Sequence, residues 1–475
     1  MTIIYRIPSF GAGMAPAYPM TALGQTPEEG AGVTYSLKNI DFGKIPGQIG
    51  KRPGTTKLYV PTGESIDGLF EFKRTDTGEK YLLAFNDGNM QYWDDGWTTA
   101  KSGLETGVKF ECRTFANRVA VTNGIDDPFL WDGSSDDEPD QFPKAKFLAE
   151  FRLRLMAAGM PDEPLMLQSS HPGDPELWDP DEDGSAAFMA FVSPDDGQRI
   201  TGLLGLDDFL LIGKEESLYG LFGTTRQDFS IFPVDFTTGV GSHWSMKAIM
   251  GAAFFVGGEG DIYRLLPGEP PTEISAPVRS LLEGADRENM DRARAFVYQN
   301  RYYVVGVPLL DNNRVTLVFD VREGRWAEWT IPTGEIAQAT IDDNTRVVFT
   351  KPEGSQIWRL DKESSKDDDE PVESVVQTHT ISFGAEGIEK DISNVFITFR
   401  EHEDAIIYFS YRTDRKPEWS HEIPLNLQEG SGYVTFKVPI GETNCRELEF
   451  KLESVDATEF FLLNSRITYM MKEVE

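Results

Sequence analysis

A pattern of two apolar strands separated by a polar turn recurs along the chain. The stretch Phe209–Gly223 (FLLIGKEESLYGLFG) has an apolar strand, a polar turn and a second strand that ends on aromatic residues. The same outline occurs in four other stretches, namely Tyr81–Gly96, Val119–Gly133, Ala253–Gly268 and Arg346–Asp361. Two short apolar runs flanking turn residues are typical of a β-hairpin. A hairpin that repeats indicates a repeat architecture, which constrains the fold more strongly than any local motif.

The repeats carry a large apolar residue, here called the anchor, near the end of each unit. Successive anchors are Trp93, Trp131, Trp178, Phe222, Leu265, Phe319 and Trp358. They are 38, 47, 44, 43, 54 and 39 residues apart, and four-stranded propeller blades repeat at about 40–50 residues. Radial closure also protects strand edges. We therefore predict an all-β fold with a six- or seven-bladed β-propeller, the alternative being a series of stacked β-sandwiches.

The pattern divides the chain into three parts. Residues 1–62 are predicted to be an N-terminal extended arm, because Gly and Pro recur at short intervals. Residues 63–365 hold the repeats and are predicted to be the propeller, with one short helix within Ala276–Arg292 as a connector. The stretch Ser364–Pro371 (SSKDDDEP) reads as a charged linker. Residues 366–475 contain alternating strands and are predicted to form a C-terminal β-sandwich.

Composition places the protein in a broad class. At 475 residues, with 40% hydrophobic and 12% aromatic residues, the chain can bury two or three cores. The two cysteines, Cys112 and Cys445, are far apart, which favours assembly in a reducing cytoplasm over a disulfide framework. We see no signal-peptide pattern at the N-terminus and no apolar run near the ~20 residues that span a bilayer. A soluble protein is expected.

The charge of the chain is strongly negative. It has 45 Lys and Arg residues against 78 Asp and Glu residues, a net charge of −33. Residues 134–196 alone hold 15 acidic and 4 basic residues, a net charge of −11. A protein that grips nucleic acid has a basic footprint, which this composition lacks. The acids are interpreted either as a solvated surface, including adaptation to high salt, or as a surface that lies near DNA without binding it.

The sequence offers few groups for catalysis. We find no GxSxG elbow, P-loop or metal-binding histidine pair, and paired acids carry little information in so acidic a chain. We therefore predict no enzyme activity, no catalytic residues, no cofactor and no metal. The five histidines are scattered: His171, His243, His379, His402 and His421.

One stretch has the spacing of a calcium loop. Asp179, Asp181 and Asp183 precede Gly184 in a D-x-D-x-D-G pattern, which can place three carboxylates around one turn. The position six residues after Gly184, where an EF-hand has glutamate, is Ala190. An acidic turn at a blade edge is the favoured interpretation, and calcium binding stays open.

Several segments resemble one family. Phe151–Asp179 (FRLRLMAAGMPDEPLMLQSSHPGDPELWD) contains a strand followed by a Ser-x-x-Gly-Asp-Pro-x-x-Trp type of turn from Ser170 to Trp178. Further similar segments are Arg199–Gly223, Lys51–Tyr59, RELEFKLES and LNSRITY. Together these resemble the tail-nozzle proteins of short-tailed bacteriophages, also called packaged-DNA stabilisation proteins. The resemblance covers most of the chain, with the segments in the same order, although each motif concerns structure and carries no functional residue.

The resemblance implies a β-propeller with a platform domain in a homo-hexameric ring at the distal end of a virion's tail tube. Such a ring continues the DNA channel, retains the packaged genome and lets it pass at ejection. Its implied partners are a tail adaptor or tube protein above and needle or fibre proteins at the side or tip. The implied location is the virion tail, assembled in the host cytoplasm. No functional residues are carried over, because the family's role rests on shape.

Two other classes of function stay open. A propeller can act as a receptor- or glycan-binding tail-tip protein, which would present clustered aromatics on one face. An enzyme on a propeller would need a pocket with converging acids of raised pKa.

Overall fold

The computed structural model describes residues 2–18, 33–43, 47–61, 63–182, 184–332, 334–341, 343–352, 354–400, 404–430, 432–456 and 458–472. Within these ranges the protein is all-β, with forty-one strands. Its helical segments are α1 (Arg279–Leu282) and the short 3₁₀ helices Pro194–Asp196, His243–Ser245, Ala276–Val278 and Arg287–Arg292. The strands before the first repeat are β1 (Ile3–Ile7), β2 (Thr34–Lys38), β3 (Ile40–Phe42), β4 (Ile49–Lys51) and β5 (Gly54–Lys57).

Five four-stranded antiparallel sheets follow, each with its strands adjacent in chain order. The first sheet is β6 (Gly68–Lys73), β7 (Lys80–Asn86), β8 (Asn89–Trp93) and β9 (Trp97–Ser102). The second is β10 (Glu111–Phe115), β11 (Arg118–Thr122), β12 (Phe129–Trp131) and β13 (Asp136–Asp137). The third is β14 (Phe147–Phe151), β15 (Arg154–Ala158), β16 (Met166–Ser169) and β17 (Phe188–Phe191). The fourth is β18 (Ile200–Gly205), β19 (Leu210–Lys214), β20 (Leu218–Phe222) and β21 (Ser230–Asp235). The fifth is β22 (Lys247–Ile249), β23 (Ala252–Val256), β24 (Ile262–Leu265) and β25 (Thr272–Glu273).

Two further sheets begin in the same way and then recruit strands from elsewhere. The sixth starts with β26 (Arg294–Tyr298), β27 (Tyr302–Pro308), β28 (Arg314–Asp320) and β29 (Arg325–Trp329). The seventh starts with β30 (Ile336–Ile341), β31 (Asn344–Thr350) and β32 (Ile357–Asp361), and its fourth strand is β5, which pairs antiparallel with β32. The first strands of neighbouring sheets contact one another in order, and β30 contacts β6. The sheets therefore form a closed, β-propeller-like ring.

Apolar side chains fill the spaces between neighbouring sheets. Phe72 and Leu83 of the first sheet pack in one cluster with Val119 and Trp131 of the second. Similar clusters lie between the second and third, third and fourth, fourth and fifth, and seventh and first sheets. Face-to-face packing of this kind explains why the hairpins carry continuous apolar runs, since the inner strands are covered on both faces.

The predicted anchors do not all occupy equivalent positions. Trp131 and Trp358 are buried on strands, whereas Trp93 and Phe222 are half-buried. The prediction is wrong for Trp178, which lies in the connection between β16 and β17 rather than on a strand. Its indole is fully buried, stacks on Phe142 at 4.9 Å and donates from Nε1 to the carbonyl of Pro175 at 2.7 Å.

Two-residue turns with positive φ connect many strands. Asp87 and Gly88, between β7 and β8, have φ values of 44° and 76°. Arg152 and Leu153, between β14 and β15, have 51° and 57°. Such turns match the right-handed twist of hairpins. The apolar run Phe151–Ala157 (FRLRLMA) predicts a single strand, and this prediction is wrong because the chain reverses at Arg152 and Leu153.

The C-terminal strands belong to three sheets. They are β33 (Lys366–Asp367), β34 (Glu370–Pro371), β35 (Ser374–Thr378), β36 (Lys390–Arg400), β37 (Ala405–Thr413), β38 (Ile423–Leu427), β39 (Tyr433–Cys445), β40 (Leu448–Ser454) and β41 (Phe461–Met471). β33 and β34 continue the seventh sheet beyond β5, and the later strands lie in two other sheets. One of these continues the sixth in the order β29-β2-β35-β40-β37-β38. The other has the order β3-β4-β41-β36-β39, with β1 also paired to β41. Both sheets contribute side chains to one core, including Phe409, Phe450, Val395 and Ile467.

Two connecting segments differ in detail from the prediction. The stretch predicted as a charged linker, residues 364–371, contains the hairpin β33–β34, and β33 pairs parallel with β5. Asp367 in this hairpin accepts hydrogen bonds from the buried guanidinium of Arg52. The segment Ala276–Arg292 holds only the four-residue α1 and two 3₁₀ helices. Residues 364–371, whose charges predicted a free linker, are therefore held in the seventh sheet by strand pairing.

Arg325 joins the ring to the N-terminal segment and to the second sheet of the C-terminal part. Its guanidinium donates to the carboxylate of Asp320 at 2.9 Å and to the carbonyl of Gly11. It also lies 4.4 Å from the ring of Phe42 on β3. The side chains of Arg325 and Asp320 are 8% and 0% exposed. A buried pair of this kind tolerates the loss of neither partner, because the other charge is then left uncompensated.

We expect Arg325→Met to lower the free energy of unfolding by about 3–5 kcal/mol, because Asp320 would remain buried without its cation. Arg322→Met is the matched control: this side chain is exposed three residues away, and its removal should change stability by less than about 0.5 kcal/mol. Urea denaturation followed by tryptophan fluorescence measures both. Equal effects of the two substitutions would contradict the role assigned to Arg325.

Candidate ligand site inside the ring of sheets

A cavity of about 690 Å³ opens where the first strands of the sheets begin. It is lined by the segments that lead into β10, β14, β18, β22 and β26. The turns that follow β11, β15, β19 and β23 complete its wall. Because these segments belong to five consecutive sheets, the cavity is created by closure of the ring. Its size is within the range of about 300–1,000 Å³ that is usual for small-molecule sites.

The wall of the cavity carries both cationic and acidic side chains. Lys109, Lys146, Arg199 and Arg287 are its cationic lining residues, and Glu215, Glu288 and Asp291 are its acidic ones. Arg199 donates from Nε to Glu215 Oε1 at 2.7 Å. Arg287 pairs with Glu259. Lys146 is exposed.

Trp244 forms part of the floor and is surrounded by cations. The guanidinium of Arg294 lies 4.7 Å from the indole centroid, and the ammonium of Lys109 lies 5.4 Å from it. Both cations also face Glu335: Lys109 pairs with its Oε2, and Arg294 Nε is 3.4 Å from its Oε1. One carboxylate and one aromatic ring thus hold two cations together beneath the cavity.

Glu111 is the second carboxylate of the floor. Its Oε2 accepts from Trp244 Nε1 at 2.9 Å, and its Oε1 lies 3.0 Å from Arg113 Nη2 and 3.5 Å from His243 Nε2. His243 Nδ1 accepts from the backbone N–H of Leu203 at 3.1 Å. That bond assigns the proton of a neutral imidazole to Nε2, where it faces Glu111. The imidazole is therefore held in one tautomer by the strand beside it.

The charges of the floor perturb one another. Burial opposes ionisation of Glu111, but Arg113 and His243 outweigh it and bring the pKa of Glu111 down to about 2. Burial and the nearby Arg113 lower the pKa of Lys247 to about 8. Burial and Arg314 lower the pKa of Arg294 to about 9. Lowered basic pKa values mean that the cations are desolvated and repel one another.

Cations therefore outnumber carboxylates on the floor. Lys109, Arg113, Lys247 and Arg294 face Glu111 and Glu335, which leaves an excess of two positive charges in a chain whose net charge is −33. We name these six residues the floor cluster. An arrangement of this kind can attract and orient a negatively charged group.

The structure places the residues singled out in the sequence in different regions. Asp179 accepts from the backbone N–H of Asp181 at 2.8 Å, which is an ordinary turn contact. Asp183 and His402 lie outside the described residues. Among the residues that are described, no group of three His, Cys, Asp or Glu side chains is arranged to hold a metal ion. Calcium binding by this loop stays an open hypothesis.

Sequence reasoning missed the floor cluster. Its residues are far apart in the chain and stand at or just before the starts of β10, β22, β26 and β30. The available signal was a charged residue at the start of an otherwise apolar inner strand, as in Lys109, Glu111 and Arg113. Glu215 lies in the turn between β19 and β20, as the hairpin pattern predicts, and it also lines the cavity. The scattered His243 belongs to the same site.

The described acids of residues 134–196 are exposed or half-buried. Asp136 and Asp137 form β13, the outermost strand of the second sheet, and both are exposed. Lys101 contacts Asp136 and Glu138, the latter at 2.6 Å. These acids differ from the carboxylates of the floor cluster, Glu111 and Glu335, which are buried.

Comparisons with known proteins leave the family undetermined. No protein-family model and no curated protein matches the chain. Among solved structures, the AfRom2 CNH domain matches with 9% identity, a TM-score of 0.42, and coverage of 65% of this chain and 99% of its own. The extracellular domain of the putative one-component system BT4673 from B. thetaiotaomicron matches with 7% identity, a TM-score of 0.43, and coverage of 88% and 62%. The Pan2 WD40 domain of Neurospora crassa matches with 6% identity, a TM-score of 0.38, and coverage of 66% and 95%. Similarity at this level supports no inference about function.

None of the helices in the described part of the chain has the length and apolar character needed to cross a bilayer.

The pKa of Glu111 predicts how its contribution to stability depends on pH. The folded value of about 2 lies below the ordinary 4.5, so the ionised carboxylate stabilises the fold above pH 4.5 and loses this effect as the pH falls towards 2. We expect the stability difference between the natural protein and Glu111→Gln to shrink by about 1–2 kcal/mol between pH 6 and pH 3.5. Urea denaturation at each pH measures it.

Glu105→Gln is the control for this series, because Glu105 is exposed near the same strand. Its stability difference should stay within about 0.5 kcal/mol at both pH values. A Glu111→Gln difference that is equally constant would show that the carboxylate is not held ionised by Arg113 and His243.

Proposed function

We propose that the protein is a structural subunit of a tail tube, of the kind that forms the distal nozzle of short-tailed bacteriophages. In this proposal the seven sheets are the blades of a seven-bladed β-propeller and the two C-terminal sheets form a β-sandwich platform. Six copies form a ring that continues the DNA channel, retains packaged DNA and lets it pass at ejection. The subunit is not an enzyme and uses no cofactor. Its neighbours in the virion tail are an adaptor or tube protein above and needle or fibre proteins.

The observation that carries this proposal is the continuity between the two parts of the chain. A single hydrogen-bonded sheet runs from β26 of the ring, through β2, to β38 in the C-terminal part. Backbone hydrogen bonds across such a sheet resist relative movement of the parts that they join. A wall that holds DNA under pressure requires this kind of rigidity, whereas two domains joined by a flexible linker are expected to move against each other.

A second feature suits contact between copies. The rings of Phe188 on the outer strand β17 and of Phe229, the residue before the outer strand β21, have centroids 5.2 Å apart. These two strands and the turn after β21 expose four large apolar side chains, here called the rim patch: Met189, Phe191, Phe232 and Phe236, which are 45%, 51%, 57% and 68% exposed. Exposed apolar side chains on sheet edges mark sites of association.

The charge distribution is compatible with a DNA channel. Exposed acids on the outer strands, such as Asp136 and Asp137, would repel the phosphate backbone wherever copies turn them towards a shared channel. The same charge opposes assembly, because six chains of −33 each repel one another. Burial of the rim patch, together with screening by salt, would offset that repulsion.

We expect the purified protein to form closed rings with a central hole, seen by electron microscopy and sized by mass photometry. Ring formation should increase as NaCl is raised from about 50 to 500 mM, because the Debye length shortens from roughly 14 to 4 Å. A monomer under every salt condition, with and without tail tubes, would contradict the proposal.

Substitutions in the rim patch test which surface assembles. Phe232→Ser together with Phe236→Ser should weaken ring formation by at least about tenfold, since two buried aromatic side chains would be lost from the contact. Leu310→Ser is the control, because Leu310 is also exposed, at 73%, but lies outside the patch. Rings that form equally well with all three substitutions would exclude the rim patch as the contact.

The second candidate function is a receptor- or glycan-binding tail-tip protein. The cavity and its floor cluster favour it, because a nozzle built only on shape has no need of a small-molecule site. Glycan-array binding by a protein that stays monomeric would support this candidate over the tube.

A further inference from the structure

We propose that the cavity inside the ring of sheets binds a small organic anion, with its carboxylate or phosphate group held by Lys146 and the floor cluster. The proposal goes beyond the structural role, and it does not depend on assembly because the whole site lies within one chain.

The charge balance of the site leaves cations to spare. Around the cavity and its floor there are seven cationic side chains, namely Lys109, Arg113, Lys146, Arg199, Lys247, Arg287 and Arg294. Six carboxylates accompany them, namely Glu111, Glu215, Glu259, Glu288, Asp291 and Glu335. In a chain of net charge −33, a region with a positive excess is not explained by composition. It calls for a negative partner.

The carboxylates of the site are already engaged. Glu111 contacts Arg113, His243 and Trp244, and Glu335 contacts Lys109 and Arg294. Glu215 is bound by Arg199, and Glu259 by Arg287. Glu288 and Asp291 are exposed at the cavity wall, whereas the excess of cations lies in the floor cluster, where it would repel a cationic ligand. The ion pairs do not use up the capacity of the cations to donate, since an ammonium group has three N–H bonds.

Two lysines are the cations best placed to bind the anion. Among the described residues, neither Lys146 nor Lys247 makes a hydrogen bond or ion pair with another side chain. Lys146 projects from the entry to β14 into the cavity wall. Lys247 starts β22, close behind the floor formed by His243 and Trp244, and is partly buried. An anion at the cavity wall would accept a charge-assisted hydrogen bond from Lys146, while the ammonium of Lys247, which lies outside the cavity lining, would attract it from behind the floor.

The repulsion within the floor cluster supports the same ligand. Burial and Arg113 lower the pKa of Lys247 to about 8, and Glu111 and Arg294 are the other charged groups that act on it. Lys109 belongs to the same cluster, and His243 contacts its Glu111. A bound anion would offset this repulsion and favour the ammonium form. Binding should therefore weaken between pH 7 and pH 9, as Lys247 loses its proton in the unliganded site.

The ligand is small because the cavity is small. A volume of about 690 Å³ accommodates a molecule of the size of a sugar acid or a sugar phosphate, and it excludes a folded protein or a nucleic-acid duplex. Carboxylate and phosphate share the oxyanion chemistry that lysine recognises, so the experiment includes one probe of each kind.

The test is isothermal titration of the full chain with glucuronate and with inorganic phosphate, alongside thermal melting. Glucose is the neutral comparison, and NaCl at equal ionic strength controls for screening of the acidic surface. We expect at least one oxyanion to bind and to raise the melting temperature above the NaCl control. Binding of glucuronate alone assigns the site to carboxylates, and binding of phosphate alone assigns it to phosphate groups.

Variants separate the site from the surface. Lys146→Gln should weaken binding by about tenfold or more through the loss of one charge-assisted hydrogen bond, and Lys247→Met should weaken it through the loss of a nearby positive charge. Lys144→Gln is the matched control, since Lys144 is two residues from Lys146 and pairs with Asp127 at 2.7 Å outside the cavity lining. Lys146 is exposed, so its substitution tests binding even if Lys247→Met fails to fold.

The proposal is overturned if neither oxyanion binds at about 10 mM, if glucose binds as well as glucuronate, or if Lys146→Gln binds unchanged. It is also overturned if NaCl alone reproduces the stabilisation. A monomeric protein that binds the anion would contradict the tube while supporting this site, and a ring that does not bind it would do the reverse.

Discussion

The pairing of early strands with late strands is the constraint on which the rest of the structure depends. β5 supplies the fourth strand of the seventh sheet by pairing with β32, and β2 lies between β29 and β35. Without β5, the seventh sheet would present an unpaired edge. The apolar cluster between the seventh and first sheets, which includes Ile66 and Val348, would lose part of its frame. These pairs join residues some three hundred positions apart, so their formation carries a large loop-closure cost and is expected to complete folding late.

Closure of the ring also creates the electrostatic contrast of the molecule. Acidic side chains are exposed on outer strands, where water solvates them at little cost. The floor cluster lies inside, where desolvation makes each unpaired charge expensive. Glu111 and Glu335 offset part of that cost by pairing with three of the four cations of the cluster, namely Arg113, Lys109 and Arg294. The positive excess that remains distinguishes the cavity from the rest of a very acidic protein.

The hairpins were predictable because their signal is local. An apolar run, a polar turn and a second apolar run follow each other within fifteen residues, as in Phe209–Gly223, where β19 and β20 pair as expected. The turn at Asp87 and Gly88 has the composition that two-residue hairpin turns prefer. The turn at Arg152 and Leu153 also has positive φ values but lacks that composition. The sequence therefore predicts one continuous strand there. The position of Trp178 in a connection was not predicted for a similar reason, because the sequence does not distinguish a tryptophan buried in a loop from one buried on a strand.

The sequence by itself determined the all-β class, the repeating sheets and the uneven acidity, because periodicity and charge act over short distances along the chain. Only the tertiary structure decided which strands close the ring, how Arg325 joins Asp320 to Gly11, and that Lys109, Glu111, His243 and Arg294 meet at one site. Contacts between residues so distant in the chain leave no periodic trace, and a charged residue in an apolar strand has a meaning only when its neighbours in space are known. The candidate site therefore could not be predicted from the sequence, although the sequence contains every residue that forms it.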